Sequence, residues 1–246
     1  MGQIEGAGVA LHYDERGDGT PLLIVHAMAS DAAAWSSALD ELAAAGARAI
    51  AYDRRGYGAS GVPQPYVATT VQEQAEDAAA LLGALGAAPA VLVGDGFGAL
   101  VVLELLVRRP QLASAAVLAD PPLLAFVEQA TAALADERTL LERSLRDAGP
   151  AEAISAWLEA GGGADAGRRE RAPASPLGFF ADYAGQSSWS PARRELRAIA
   201  QPVAVVTGPG SPPHIVAAAG AAAALLPDAR RSEDGDAVAA ARALLA

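Results

Sequence analysis

Short apolar segments alternate with segments of helical periodicity along the first half of the chain. Residues 21–26 form a continuous apolar run, and Trp35, Leu39 and Leu42 then recur at the spacing of one helix face. Asp31 precedes this second segment and is a suitable helix N-cap. A continuous apolar run followed by an amphipathic helix is typical of a strand–helix unit in which both faces of the strand are buried.

The same two patterns repeat along the rest of the chain. They predict strands at 47–53, 90–93, 115–120 and 203–207 and helices at 71–85, 97–109, 213–226 and 237–245. This alternation predicts the α/β class, with a mostly parallel sheet and helices on both of its faces. The segment 228–234 stands where a last strand is expected, but it is almost wholly polar. We therefore expect that edge to be short, exposed or missing.

Residues 121–200 interrupt the strand rhythm with a long stretch of helical pattern. We expect this segment to form a helical lid over a core made of residues 1–120 and 201–246. Trp157, Tyr183 and Trp189 fall within it. These aromatic residues either pack the lid or line a pocket beneath it, and the sequence leaves both alternatives open.

Composition removes several chemistries from consideration. The 246 residues carry 18 basic and 29 acidic side chains, a net charge of −11, which argues against a nucleic acid or an anionic membrane as partner. The chain contains neither lysine nor cysteine, which excludes Schiff-base and thiol chemistry. Its three histidines are scattered, and we expect no metal and no cofactor. The N-terminus lacks a signal-peptide pattern, so we expect a cytoplasmic protein.

A glycine-rich turn separates the strand at 90–93 from the helix at 97–109. It reads Gly94-Asp95-Gly96-Phe97-Gly98. A strand, a tight turn and a helix with the spacing Gly-x-nucleophile-x-Gly are the context of a nucleophile elbow.

The chain here resembles the α/β-hydrolase fold family. Three other landmarks stand in the expected order: His26-Ala27 is similar to the family's His-Gly oxyanion segment, residues 53–60 to its Asp-x-Arg-Gly-x-Gly-x-Ser loop, and Thr207-Gly208 to the end of the acid-bearing strand. The resemblance implies an α/β-hydrolase fold with a serine, an acid and a histidine as its catalytic triad.

The chain departs from the family at all three triad positions. The elbow position is Gly96, the acid position is Gly210 or Ser211, and the histidine position is Asp236. Serine is a poor nucleophile until a histidine takes its proton, and here all three groups are replaced. We therefore interpret the chain as a degenerate member that lacks conventional hydrolase activity.

The oxyanion hole of this family needs only backbone N–H groups, and the resemblance assigns these to Met28 and Phe97. Candidates for acid–base catalysis are His26, Asp95 and Asp120. All three also have structural alternatives: His26 holds the oxyanion loop, Asp95 bonds neighbouring backbone, and Asp120 caps a helix or the lid. Further pocket candidates are Ala27, Gly96, Trp157, Tyr183, Trp189 and His214.

These features favour a non-hydrolytic enzyme, a lyase, isomerase or cyclase acting on a small apolar carbonyl compound. The lysine-free, Ala- and Arg-rich composition is typical of a high-GC bacterium, where such a protein fits secondary metabolism. The alternative is a pseudo-hydrolase that binds a ligand or a protein partner without turnover. The third possibility is slow hydrolysis by substrate-assisted attack of water. The sequence does not show whether the polar segment 228–234 forms a homodimer contact.

Overall fold

The computed structural model describes residues 1–128, 130–161 and 166–245, and in these residues the chain forms an eight-stranded sheet. The strands are β1 (Gly2–Glu5), β2 (Ala10–Arg16), β3 (Thr20–Val25), β4 (Ala47–Tyr52), β5 (Ala90–Asp95), β6 (Ala113–Ala119), β7 (Val203–Val206) and β8 (Ala229–Ser232). Their order is β1-β2-β4-β3-β5-β6-β7-β8. The β1–β2 and β2–β4 pairs are antiparallel and the others are parallel, so the predicted mostly parallel sheet is confirmed.

Helices connect the parallel strands. They are α1 (Ser36–Ala44), α2 (Val71–Ala84), α3 (Phe97–Arg108), α4 (Ala130–Ala148), α5 (Pro150–Gly161), α6 (Ala166–Arg171), α7 (Pro176–Gln186), α8 (Arg193–Leu196), α9 (Pro213–Leu225) and α10 (Ala237–Leu245). Asp31 is a helix cap as predicted, since its carboxylate accepts the N–H of Ala34 at 3.0 Å. The capped segment is, however, a 3₁₀ turn, Ala32–Trp35, and α1 begins after it.

The two faces of the sheet bury separate sets of apolar side chains. In β3, Leu22 and Ile24 pack in one cluster with residues of α1 and α10, whereas Leu23 and Val25 pack in the other with residues of α2, α3 and α9. Strand side chains alternate between the faces of a sheet, so helices on both sides bury the strand completely. The prediction of helices on both faces is therefore confirmed.

The polar segment near the C-terminus does form a strand. β8 pairs in parallel with β7 along four residues, and its two arginines, Arg230 and Arg231, are exposed. Of the alternatives that the sequence left open, the short and exposed edge is correct. Edge strands tolerate such charge because one side of their backbone ladder and much of their surface face water.

Helices α4 to α8 lie between β6 and β7, and we call them the helical insertion. A buried ion pair fastens it to the core: Arg54, in the loop after β4, donates to Asp182 of α7 at 2.6 Å. Gln74 of α2 donates to the other oxygen of Asp182 at 2.5 Å. Across the described residues, no helix combines the length and the apolar character that crossing a bilayer requires.

Candidate functional site

The turn between β5 and α3 has the geometry that the glycine pattern predicts. Gly96 has φ 51° and ψ −117°, which places it in a region that side-chain-bearing residues rarely adopt. A Cβ at Gly98 would collide with the carbonyl oxygen of Val25, so α3 can approach β3 this closely only with glycine there. The turn places Gly96 at the carboxyl end of the parallel strands, where open α/β sheets bind ligands.

A cavity of about 600 Å³ opens at this turn, and we call it the elbow cavity. The core supplies Ala27, Met28, Asp95, Gly96, Phe97, Asp120, Gly210, Ser211 and His214 to its wall, and the helical insertion supplies Leu134, Glu137, Trp157 and Arg168, among others. Its volume is within the range of ligand pockets. The remaining aromatic candidates, Tyr183 and Trp189, line a separate neighbouring cavity.

Asp95 supplies a carboxyl group to the wall of the elbow cavity, directly before the turn. Within the described part of the chain, no side-chain or backbone donor bonds this carboxyl. Burial raises its pKa, and the charge of Asp120 raises it further, while Arg168 and Arg54 oppose the shift. A poorly solvated carboxyl with an elevated pKa and no fixed donor is suited to exchanging protons with a ligand. The geometry therefore does not support the structural alternative for Asp95.

Asp120 is the second carboxyl on the cavity wall and is held more firmly. The hydroxyl of Ser211 donates to it at 2.6 Å, and the same hydroxyl accepts the N–H of Gly208 at 2.8 Å. Burial raises the pKa of Asp120, and the bond from Ser211 counteracts this. Asp120 also has a positive φ of 44°, a strained backbone conformation for a residue with a side chain, directly after β6.

His26 and Arg54 fix the peptide that joins Ala27 to Met28. The carbonyl oxygen of Ala27 accepts hydrogen bonds from Nδ1 of His26 at 2.7 Å and from a guanidinium nitrogen of Arg54 at 3.1 Å. In a trans peptide the C=O and the following N–H point in opposite directions, so these two bonds also fix the direction of the Met28 N–H.

The two N–H groups expected to form the oxyanion hole remain unoccupied by protein acceptors. In the described residues, neither the N–H of Met28 nor that of Phe97 donates to a backbone or side-chain oxygen, and both residues line the elbow cavity. Arg168 of α6 lies against the same loop and donates to the carbonyl oxygens of Met28 at 2.7 Å and Ala29 at 2.9 Å. Its positive charge therefore stands beside the donors.

His26 has no ring nitrogen left for a substrate. Nδ1 donates to the carbonyl oxygen of Ala27, and Nε2 accepts the N–H of Arg54 at 3.0 Å. The ring is 1% exposed and is not part of the cavity wall. Burial and the charge of Arg54 lower its pKa well below the usual value, so the ring is neutral. This geometry supports the structural alternative for His26, that of holding the oxyanion loop.

The three positions at which the family carries its triad lie close to the elbow cavity. Gly96 and Gly210 line its wall. The loop after β7 lies against Gly235, the residue before Asp236. A Cβ added at Gly208 would lie 3.3 Å from the Cα of Gly235. The carboxylate of Asp236 accepts the N–H of Ala239 at 2.7 Å and thereby caps α10. The side chain of Asp236 is exposed, and its contact is with the first turn of α10.

Three polar residues of the cavity wall have positions or contacts that the sequence does not predict. Arg168 and Glu137 come from the helical insertion, and Ser211 had been considered only as an occupant of the acid position. Burial raises the pKa of Glu137, as it does for Asp95. No local motif surrounds Arg168 or Glu137, since both reach the cavity through the packing of the insertion on the core. The contacts of Ser211 with Asp120 and Gly208 appear only in the folded structure.

Comparison with known proteins agrees with this geometry. Residues 20–153 match the family model described as alpha/beta hydrolase fold. An epoxide hydrolase from Caballeronia sordidicola is 37% identical over 103 residues, which cover 42% of this chain and 31% of the relative. Epoxide hydrolase A from Mycobacterium tuberculosis (strain ATCC 25618 / H37Rv) is 35% identical over 123 residues, covering 49% and 38% respectively. The chain thus spans well under half the length of these curated relatives.

A solved structure extends the likeness over nearly the whole chain. The hydrolase from Pseudomonas aeruginosa PA01 superposes with a TM-score of 0.77 over 94% of this chain and 89% of that one, at 22% sequence identity. At this identity the likeness concerns the fold alone.

Proposed function

Because the chain belongs to the alpha/beta hydrolase fold family, we propose that it is a member without the catalytic triad, acting as a cofactor-free lyase, isomerase or cyclase on an apolar carbonyl compound. One observation carries the proposal. The half-buried carboxyl of Asp95, which no donor in the described residues bonds, shares a cavity wall with Met28 and Phe97, whose N–H groups have no protein acceptor in the described residues. This set suits proton transfer next to a carbonyl group.

The residues at the triad positions support the loss of hydrolysis. Gly96 offers no nucleophile, Gly210 offers no acid, and the side chain of Asp236 caps a helix. An acyl-enzyme requires a nucleophile whose proton is taken by a base. The two glycines can supply neither function, and the carboxylate of Asp236 is engaged at the start of α10.

The proposed reaction begins with a carbonyl compound in the elbow cavity. Its oxygen accepts the N–H groups of Met28 and Phe97, and the carboxylate of Asp95 takes a proton from the carbon next to the carbonyl. The C–H electron pair forms the C=C bond of an enolate, and the negative charge on oxygen is stabilised by the two N–H groups and by nearby Arg168. Return of the proton to a different carbon gives an isomer, and loss of a leaving group from the enolate gives an elimination product.

Asp120 is suited to the second proton transfer. It lies on the same wall, and its hydrogen-bonded partner Ser211 restrains it. Two carboxyl groups whose environments differ can take opposite roles as acid and base. In this assignment Asp95 accepts the first proton, and Asp120 delivers a proton to the product or to a leaving group.

Deuterium exchange tests the proposal. The protein is incubated in D2O with a panel of cyclic and linear ketones, and exchange next to the carbonyl is followed by NMR. We expect Asp95→Asn to reduce the exchange rate by about 10²- to 10⁴-fold. Asp40→Asn, on the exposed face of α1, is the matched control and should leave the rate unchanged. Equal rates for the wild type and Asp95→Asn would exclude Asp95 as the base.

The alternative function, ligand binding without turnover, predicts a different experimental result. Mass spectrometry of small molecules that co-purify with the protein supplies native ligand candidates, which we propose belong to bacterial secondary metabolism. A ligand that binds in the elbow cavity and is recovered unchanged, without exchange, identifies a pseudo-hydrolase that only binds. Cleavage of p-nitrophenyl esters that survives Asp95→Asn and stops when the cavity is blocked identifies substrate-assisted hydrolysis instead.

A further inference from the structure

A second cavity, of about 660 Å³, lies within the helical insertion, and we call it the insertion cavity. Its walls come from α4, α7 and the segments that follow β6 and α7. Leu123, Leu141 and Trp189 are buried in its wall, and Phe180 is half-buried. Most of its surface is therefore contributed by apolar side chains.

The polar atoms around the insertion cavity are largely bonded elsewhere. The indole N–H of Trp189 donates to Glu104 of α3 at 2.9 Å, which leaves the ring itself to the cavity. At the rim, Arg138 donates to Glu142 at 2.7 Å, and the hydroxyl of Ser187 donates to the carbonyl oxygen of Ala184 at 3.0 Å. A ligand in this cavity thus meets chiefly hydrocarbon and aromatic surface, which favours an apolar occupant.

The insertion cavity adjoins the elbow cavity. Pro122, Leu124, Leu134 and Gln186 line both of them. The two cavities therefore share these four residues, past which the tail of a molecule in the elbow cavity would reach a second apolar space.

We propose that the insertion cavity binds the hydrocarbon tail of an extended substrate whose carbonyl head occupies the elbow cavity. This inference rests on the proposed function for the position of the head, and it defines the substrate class as a long-chain aliphatic carbonyl compound. The tail contributes affinity by burial of its methylene groups, and the head is positioned by the N–H groups of Met28 and Phe97.

A chain-length series tests the tail site by binding alone. Linear methyl ketones from 2-butanone to 2-decanone are titrated into the protein, and binding is followed by the fluorescence of Trp157 and Trp189, one in each cavity wall. Burial of methylene groups strengthens binding by roughly fourfold for each one. We therefore expect the dissociation constant to fall steadily along the series.

Two variants fill the insertion cavity from exposed positions. Ala184→Phe adds a ring from α7, and Thr131→Trp adds one from α4. Each should weaken binding of 2-decanone at least tenfold and leave that of 2-butanone within twofold. The matched control is Ala132→Phe, an exposed alanine on α4 that lines neither cavity, and it should bind both ketones like the wild type.

The outcomes separate this inference from the proposed function. Affinity that does not depend on chain length, or equal effects of Ala184→Phe and Ala132→Phe, overturns the tail site. Chain-length-dependent binding that Ala184→Phe removes supports the tail site even where deuterium exchange is absent, in which case the proposed catalysis fails and the binding site stands.

Discussion

The side chain of Ala27 occupies the space toward which a side chain at Gly96 would point. A Cβ at Gly96 would lie 3.1 Å from the Cβ of Ala27, closer than ordinary van der Waals contact. The family pattern has glycine at the Ala27 position and a nucleophile at the Gly96 position. The residues at these two positions therefore fit each other sterically, since the methyl group of Ala27 lies where a side chain at Gly96 would make a tight contact.

We predict that Gly96→Ser and Ala27→Gly are coupled in stability. Gly96→Ser alone should cost about 1–3 kcal/mol, because it places a side chain at φ 51° and against Ala27. The double variant should be more stable than the sum of the single effects by at least about 0.5 kcal/mol. Urea unfolding measures the four free energies. Gly96→Ser combined with Ala132→Gly should be additive, and coupling of the same size there would remove the steric explanation.

Deprotonation of Asp95 should limit proton exchange at low pH. Since burial and Asp120 raise the pKa of Asp95, the acid limb of the exchange rate should have its midpoint above the ordinary aspartate value of about 3.9. A pH profile of kcat/KM between pH 3 and pH 9 measures it. A midpoint at or below the ordinary value contradicts the assignment.

Asp95→Asn should raise the thermal stability at neutral pH. The folded pKa is raised, so the stability that the protonated form contributes is fully present below the unfolded pKa and is lost as the pH rises through the folded pKa. Asparagine stays uncharged throughout. The gain in Tm should therefore be visible at pH 7 and disappear below about pH 4, as measured by scanning calorimetry.

Arg168→Gln should move the acid limb of the exchange profile to higher pH. The positive charge of Arg168 lowers the pKa of Asp95, so its removal lets burial and Asp120 raise that pKa further. It also removes the bonds to the carbonyl oxygens of Met28 and Ala29. Arg169→Gln, an exposed neighbour on α6, should keep the wild-type profile. Identical profiles for both variants would show that Arg168 does not act on Asp95.

Asp182→Ala should destabilise the protein by about 3–5 kcal/mol, because it leaves the fully buried Arg54 without its counter-ion. The exposed pair Arg138–Glu142 is the comparison, and Glu142→Ala should cost less than about 1 kcal/mol. Chemical denaturation measures both. A loss for Asp182→Ala no larger than that for Glu142→Ala would show that the buried pair does not hold the insertion on the core.

His26 should make the wild type less stable in acid. Its folded pKa is lowered, so as the pH falls below about 6.5 the unfolded chain takes up a proton that the folded ring refuses. Each pH unit below that value costs up to about 1.4 kcal/mol until the folded pKa is reached. His26→Gln should show a shallower decline between pH 6.5 and pH 5, when stabilities are compared by urea unfolding at each pH.

The sequence by itself determined the class of the fold and the main strands and helices of its parallel part. Strands such as β3 are continuously apolar because helices bury both of their faces, and local periodicity records that burial. The turn at Gly96 was equally predictable, because the glycines at 94, 96 and 98 are imposed by local backbone geometry and by the close approach of α3 to β3. The proposal that the triad positions are replaced rests on the same register.

Only the tertiary structure decided what each polar side chain of the site contacts. The sequence left His26 and Asp95 each with two roles, and packing gives the two side chains different surroundings. Both ring nitrogens of His26 are bonded to residues 27 and 54, whereas in the described residues no donor reaches the carboxyl of Asp95. Arg168 lies more than 130 positions from the loop that it bonds. Such long-range contacts depend on how the insertion docks on the core, and no local pattern encodes that geometry.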